Sequence, residues 1–268
     1  MFVNYNFFIS VALGIVLYFA GRKIRSAVET GYVKAIIGIV FFLLCIPALS
    51  FAIYYVHLFE TPLWYYEFRS VNNIEILSGL CGLFAGFMET DKIYKKRVQR
   101  TFFRKKYLRM SMLLICLPFI KPVLTPGGIF FDLKNQWKEG VCLQSTPSTC
   151  GPCSLVTILK YYGVTVSEKE AARASYTSLT GTEIWYIARY AEKKGFSSEY
   201  MKKKSLAEVP VPSIIGVKTK DYGHFVALLE VNEKAYVLGD PLYGRLVLTK
   251  KEFNKLYDFT GFAIHFSR

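Results

Sequence analysis

Two stretches near the start of the chain, about Phe2 to Ala20 and about Ala35 to Leu58, are apolar for long enough to cross a membrane. A ~30 Å hydrocarbon core needs about 20 such residues at ~1.5 Å of helix rise each, so these stretches limit the first part of the chain to helices. A third stretch, roughly Asn73 to Met88, carries Glu75 near one end. A fourth, roughly Tyr107 to Leu124, contains Arg109 and Lys121, whose long side chains would snorkel toward headgroups. The hydropathy thus predicts an all-α membrane domain of about four transmembrane helices. No basic segment precedes the first stretch and no small-residue cleavage site closes it, so it reads as an anchor and not a removed signal. Beyond the breakers Thr125-Pro126-Gly127-Gly128, apolar and charged residues alternate as in a water-soluble domain. The expected organisation is a transmembrane region over 1–124, a linker over 125–139 and an α+β domain over 140–268.

Charge predicts the orientation. Arg22, Lys23, Arg25 and Lys34 follow the first stretch, and Lys92, Lys95, Lys96, Arg97, Arg100, Arg104, Lys105 and Lys106 follow the third, while only Arg69 follows the second. Basic short loops stay cytoplasmic, so four spans would put the N-terminus and the C-terminal domain outside; one span more or fewer reverses this. The net charge of +14 is largely explained by these loops, which attract anionic lipid. Nucleic-acid binding is not expected, because the basic run abuts two spans and no base-reading motif accompanies it.

The soluble half contains LQSTPSTCGPCSL, followed by Leu155, Val156, Ile158, Leu159 and Tyr162 at helical spacing. Ser148 or Thr149 is the expected cap, Pro152 falls in the first turn and Gly163 is the expected residue just past the end. That places Cys150 at the helix N-terminus, where exposed N–H groups and the dipole favour a thiolate. Ser167 with Glu170, Thr180 with Glu183 and Thr249 with Glu252 read as capping boxes that open further helices. Strands are expected over 213–217, 223–231, 234–239, 245–248 and 261–266, giving helices in front of a mostly antiparallel sheet.

The hairpin GHFVALLEVNEKAYVLGD can be registered from its side chains. With 231–233 in the loop, Glu230 faces Lys234, Leu228 faces Tyr236, Val226 faces Leu238 and His224 faces Asp240. A thiol nucleophile, a base, an acid that orients the base and a donor for a tetrahedral oxyanion are what thiol-dependent peptide hydrolysis requires. Cys150, His224, Asp240 and the Gln144 side-chain amide, with the Cys150 backbone N–H, are the predicted set. His57 lies at a membrane boundary and His265 in the terminal strand, neither opposite a suitable acid.

The blocks QSTPSTCGPCS, GHFVALLEV and LGDPLYGRLVLTKKEF resemble the three motif blocks of the bacteriocin-processing, or double-glycine, cysteine peptidases of the papain-like superfamily. The resemblance covers about residues 140–265. It implies a papain-like fold, hydrolysis through a Cys150 acyl-enzyme, and the roles just given for His224, Asp240 and Gln144. It also implies cleavage after a Gly-Gly pair ending the leader of a small exported peptide, with a peptide exporter as a possible partner. The best-known members carry this domain N-terminally on an ATP-driven exporter. This chain instead follows a membrane region and has no GxxxxGK[ST] phosphate loop, which is closer to separate membrane-attached peptidases.

Other classes remain in view: a catalytically silent peptide-binding module, an acyltransferase using the same thioester, and a transporter whose business lies in the membrane half. Cys142 and Cys153 could pair with each other or with Cys150, whereas Cys45, Cys81 and Cys116 read as apolar fillers. Trp185, Tyr186 and Tyr190 read as core. Neither cofactor nor metal is expected, since Cys150-x-x-Cys153 has no second ligand pair. Ser78, Gly82 and Gly86 form a small-residue face able to seat another helix.

Overall fold

A computed structural model describes residues 4–56, 59–89, 106–120, 132–220 and 222–268. His57, the basic run over 92–105, Lys121 and Thr125–Gly128 lie outside the described residues. The chain divides into two compact units, one of Asn4–Thr61 with Asn73–Val123, the other of Pro62–Asn72 with Leu124–Arg268.

The first unit is helical: α1 Asn6–Ala27, α2 Gly31–Leu43, α3 Ile46–Val56, a 3-10 segment Ile74–Leu80 running into α5 Cys81–Met88, and α6 Lys106–Cys116. Helix α4, Leu63–Ser70, belongs to the second unit. By length and composition, α1 is the one described helix apolar enough to cross a membrane. The number rises to three if α2 with α3, bent by 48°, and α4 with Ile74–Met88, bent by 93°, each count as one. Among the described residues the expected four are therefore not confirmed, for local reasons. Pro47 lacks the N–H that would continue the ladder across Leu44 and Cys45, and it disfavours helical backbone before it. Asn73 is left-handed at φ 63°, which breaks the chain after α4. Helix α6 has 11 residues and passes at Leu117 into a 3-10 turn containing Pro118.

The small-residue face seats α1. A Cβ on Gly82 would lie 2.0 Å from the Gly14 carbonyl oxygen, one on Gly86 1.9 Å from that of Tyr18, and one on Gly21 2.2 Å from that of Leu83. Backbone meets backbone along this seam, so a side chain can be admitted only by parting the helices. Gly86→Leu is expected to destabilise this unit by about 3 kcal/mol or more, the upper part of the overpacking range. Gly31→Leu, where a Cβ meets nothing within 4 Å, serves as the control. Thermal aggregation of the two purified variants in detergent checks the difference.

The second unit is built on a six-stranded antiparallel sheet ordered β3-β8-β4-β5-β6-β7. Its strands are β3 Ser197–Lys202, β4 Ser213–Lys218, β5 Gly223–Val231, β6 Ala235–Asp240, β7 Gly244–Thr249 and β8 Asp258–Ser267. A separate pair, β1 Gln136–Lys138 and β2 Val141–Leu143, precedes them, with β1 inside the expected linker. One sheet face carries Ile215, Val226, Leu228, Leu238 and Ala263 against Phe253 and Tyr257, which come from α10 (Lys250–Leu256) and its exit. Helix α7, Cys150–Tyr161, is buried from Gly151 to Leu159 and lies on β5, where the Ser154 hydroxyl donates to the Phe225 carbonyl at 3.1 Å. Gly163, at φ +78°, ends the α7 region as expected, with the Val164 N–H returning to the Leu159 carbonyl.

Helices α8 Glu168–Ala174 and α9 Ile184–Lys193 complete the layer. The Ser167 cap and the Thr249–Glu252 capping box form as expected. Thr180 does not open α9. It hydrogen-bonds Ser178 in a tight turn, and α9 starts only after Glu183, which caps nothing with its side chain.

The hairpin register differs from the expected one. Leu228 faces Leu238 and Ala227 faces Gly239, and a bulge near Leu229 then sets Glu230 against Val237 and Val231 against Tyr236. The Asn232 side chain accepts from the Lys234 and Ala235 N–H groups and so builds the turn itself. Glu230 pairs with Arg245 at 2.9 Å and not with Lys234. Near the site the slip is two residues, an even number, so His224 and Asp240 keep the same face although they are not directly opposite.

Candidate active site

Cys150 is the first residue of α7, and its approach loop is pinned from three directions. The Gln144 N–H donates to the Pro241 carbonyl at 2.9 Å, tying the loop to the turn after β6. The wholly buried Glu168 carboxylate accepts from the Ser145 N–H at 2.8 Å and the Ser145 hydroxyl at 2.5 Å. The Ser148 hydroxyl donates to the Leu179 carbonyl at 2.8 Å. Thr149 occupies the cap position, but its hydroxyl donates to the Thr146 carbonyl and accepts nothing from the helix. The first-turn N–H groups of α7 thus have no side-chain acceptor at Thr149, which keeps that end of the helix suited to an anion.

His224 opens β5 and is almost fully buried, as is Asp240 at the end of β6. The His224 Nε2 lies 3.2 Å from Asp240 Oδ1. The Cys150 side chain is among the groups that raise the His224 pKa, so the thiol lies in the neighbourhood of the ring. With Nε2 committed to the carboxylate, Nδ1 is the nitrogen left for sulfur. Oδ1 of Asp240 further accepts the Leu242 N–H at 2.6 Å, and Oδ2 accepts the Tyr257 hydroxyl.

Burial opposes a charged imidazole. It is outweighed by Asp240, through its hydrogen bond and negative charge, and by the neighbouring Cys150 side chain, which together raise the His224 pKa to about 9. Burial likewise opposes ionisation of Asp240, and is outweighed by His224, the Tyr257 hydroxyl and the Leu242 N–H, which hold the carboxyl below its usual range. The Tyr257 hydroxyl is pushed up by burial and by Asp240. The His224 proton therefore favours the folded state fully below its ordinary value of 6.5, and this contribution is lost as pH rises toward about 9.

Of the four residues expected from the sequence, His224 and Asp240 are hydrogen-bonded and Cys150 lies in the neighbourhood of the ring. The fourth, Gln144, is held beside the Asp240 turn through its backbone, but its side-chain Nε2 donates to the Thr146 carbonyl at 3.0 Å while its buried Oε1 has no hydrogen-bond partner. Two residues of the site escaped the sequence reading. Tyr257 follows α10 in a stretch without motif character. Glu168 sits between the recognised Ser167 cap and Glu170, so its role as an anchor of the Cys150 loop is visible only in three dimensions. Tyr257→Phe would strip Asp240 Oδ2 of its donor, at a cost of about 1–3 kcal/mol. It is also expected to raise the Asp240 pKa, so that activity is lost at a higher pH on acidification than in the parent chain, a shift that a pH–rate profile would reveal.

All six cysteines are free thiols. Cys142 and Cys153 are wholly buried and face each other with sulfurs 3.4 Å apart. Burial, then Cys142 and Glu168, push the Cys153 thiol well above its usual range. His265 donates from Nδ1 to the Pro212 carbonyl at 2.9 Å, a structural engagement on the interior strand β8. Among the described residues no group of three or more His, Cys, Asp or Glu side chains is placed to hold a metal.

A helix-borne thiol facing a strand-borne imidazole, on an antiparallel sheet with helices packed in front, defines a papain-like α+β domain. A model of the Peptidase C39 family matches residues 138–268. An uncharacterised protein of Methanothermobacter marburgensis is 31% identical over 132 residues, 49% of this chain and 91% of that protein. The lactococcin-G-processing and transport ATP-binding protein LagD of Lactococcus lactis is 28% identical over 126 residues, 45% of this chain and 18% of that protein. The probable functional amyloid protease FapD of Pseudomonas aeruginosa is 26% identical over 157 residues, 53% of this chain and 70% of that protein. The chain belongs to the Peptidase C39 family.

Proposed function

We propose that the protein is a membrane-anchored cysteine endopeptidase that removes a leader, cut after Gly-Gly, from a small exported peptide or protein. The observation that carries this reading is the buried His224–Asp240 pair, hydrogen-bonded at 3.2 Å, with Cys150 in its neighbourhood at the tip of α7, in a chain of the Peptidase C39 family. The Cys150 thiolate attacks the scissile carbonyl, and the His224 imidazolium, steadied by Asp240, gives its proton to the leaving amine. Water, deprotonated by His224, then hydrolyses the thioester. The developing oxyanion is met by the Cys150 backbone N–H and by the Gln144 amide, which has an N–H to spare beyond the one given to Thr146. Gln144→Ala is expected to lower kcat by about 10²–10³-fold with KM little changed, the pattern of a contact made only in the transition state. Steady-state assays on a leader peptide measure both.

The membrane reading is supported by α1, 22 residues long and apolar enough to cross a membrane, whose Phe8, Val16 and Phe19 are exposed as lipid-facing side chains would be. Multi-pass insertion with basic loops inside places the catalytic domain outside, where a leader would be met on emerging from an exporter. The similarity to LagD, a processing and transport protein, and to FapD, a probable protease, supports an export setting. Mass spectrometry of peptides in cells expressing Cys150→Ala tests the substrate. A small peptide retaining a segment that ends in Gly-Gly should accumulate there and be trimmed in cells with the parent chain. Identical peptide sets in the two cultures would contradict the proposal.

A further inference from the structure

Helix α4 lies between the second and third apolar stretches in sequence, yet its buried face is spent on the catalytic unit. Arg69 is wholly buried, with its guanidinium 4.1 Å from the centre of the Trp185 ring. Its Nη1 donates to the Tyr65 hydroxyl at 3.2 Å, and its carbonyl accepts from the Arg189 guanidinium. Tyr65 stands edge-on to Trp185 at 6.3 Å, and Tyr66 stacks on Tyr200 at 5.5 Å. The Ser70 and Tyr200 hydroxyls are 2.6 Å apart, and the Asn72 amide donates to Glu192 at 3.3 Å. The catalytic-unit partners come from α9 and β3, so several turns of the loop are laid onto the domain. A guanidinium held between aromatic rings with its neighbours hydrogen-bonded is costly to withdraw, since cation and rings would be parted together.

A segment cannot dock through a bilayer. Residues 62–72 and 132–268 must share one side of the membrane, and the chain between them crosses an even number of times, whatever the hydropathy of each stretch. The stretches near 73–88 and 107–124 either both cross or neither does; with the 62–72 loop on the outer face and the basic run between them retained on the cytoplasmic side, both cross. Helix α9 also reaches the active site. The Ile187 Cδ1 lies 2.6 Å from where a Cβ on Gly151 would stand, so the helix that receives α4 also abuts the residue after Cys150. The family match begins at residue 138, so α4 lies outside it.

We propose that the 62–72 segment is a built-in tether that docks on α9 and β3, holds the catalytic domain on the membrane face from which that loop emerges and buttresses the helix beside Cys150. The identity of that face, as the outer one, rests on the function proposed above. The test uses the full chain in cells, in a Cys150→Ala, Cys116→Ser background whose other cysteines are buried, with single cysteines added and probed by a membrane-impermeant maleimide. Val71→Cys and Val247→Cys, at positions 54% and 63% exposed, should both react in intact cells, and Gln99→Cys only after permeabilisation. Val71→Cys and Val247→Cys reacting from opposite sides would overturn the tether, and Gln99→Cys reacting from their side would overturn the paired crossing. If both are sealed while Gln99→Cys is open, the tether stands and the outward orientation falls. Independently of topology, Tyr65→Cys, at a position 4% exposed, should react at least tenfold more slowly than Val71→Cys and recover when Trp185→Ala is added. Equal rates in the parent background would overturn the docking.

Discussion

Replacing Cys150 by alanine is expected to lower hydrolysis of a leader peptide by about 10⁴-fold or more without unfolding the domain. The fold should survive because Cys150 is a half-buried residue at the tip of α7, while the burial that seats this helix comes from Gly151 to Leu159. His224→Ala should cost nearly as much, since nucleophile and base act as a unit and neither works alone. Circular dichroism and a peptide-cleavage assay on the same samples separate loss of chemistry from loss of structure. Hydrolysis that persists in the Cys150→Ala chain would place the chemistry elsewhere.

The second large effect concerns pH. With His224 raised to about 9, the protonated imidazole needed beside the sulfur persists through neutrality, and kcat/KM should fall as pH rises through about 9. Asp240→Asn removes the carboxylate that both bonds the ring and supplies negative charge, and leaves burial as the dominant influence on it. The basic limb should then move down toward the ordinary histidine value of 6.5, and the rate at neutral pH should fall by about 10²–10⁴-fold. An unmoved limb in Asp240→Asn would mean that the titration belongs to another group.

The candidate site was legible in the sequence because each part is written locally. A cysteine preceding a helical apolar pattern marks a helix tip, and an alternating strand that starts with histidine and a partner that ends with aspartate mark one end of a hairpin. Parity rescued the hairpin: the expected pairing slipped by two residues because the Asn232 side chain builds a turn of its own and Glu230 prefers Arg245, yet an even slip keeps His224 and Asp240 on one face. Tyr257 and Glu168 were not legible, since their partners lie 17 and 23 residues away and no local pattern marks them. The Thr180–Glu183 pair had the composition of a capping box, but Ser178 engaged Thr180 first. The membrane half was read from hydropathy alone, which cannot see that Pro47 and Asn73 interrupt helices or that α4 is recruited by the aromatic face of α9.

The most direct measurement is the intact mass of the full chain quenched in acid during turnover of a leader peptide. An adduct equal in mass to the leader fragment less one water, held as a thioester on Cys150, is the expected result, with none in Cys150→Ala. Steady hydrolysis with no adduct on Cys150 under conditions that preserve thioesters, or with the adduct on another residue, would contradict the assignment of this sulfur as the nucleophile.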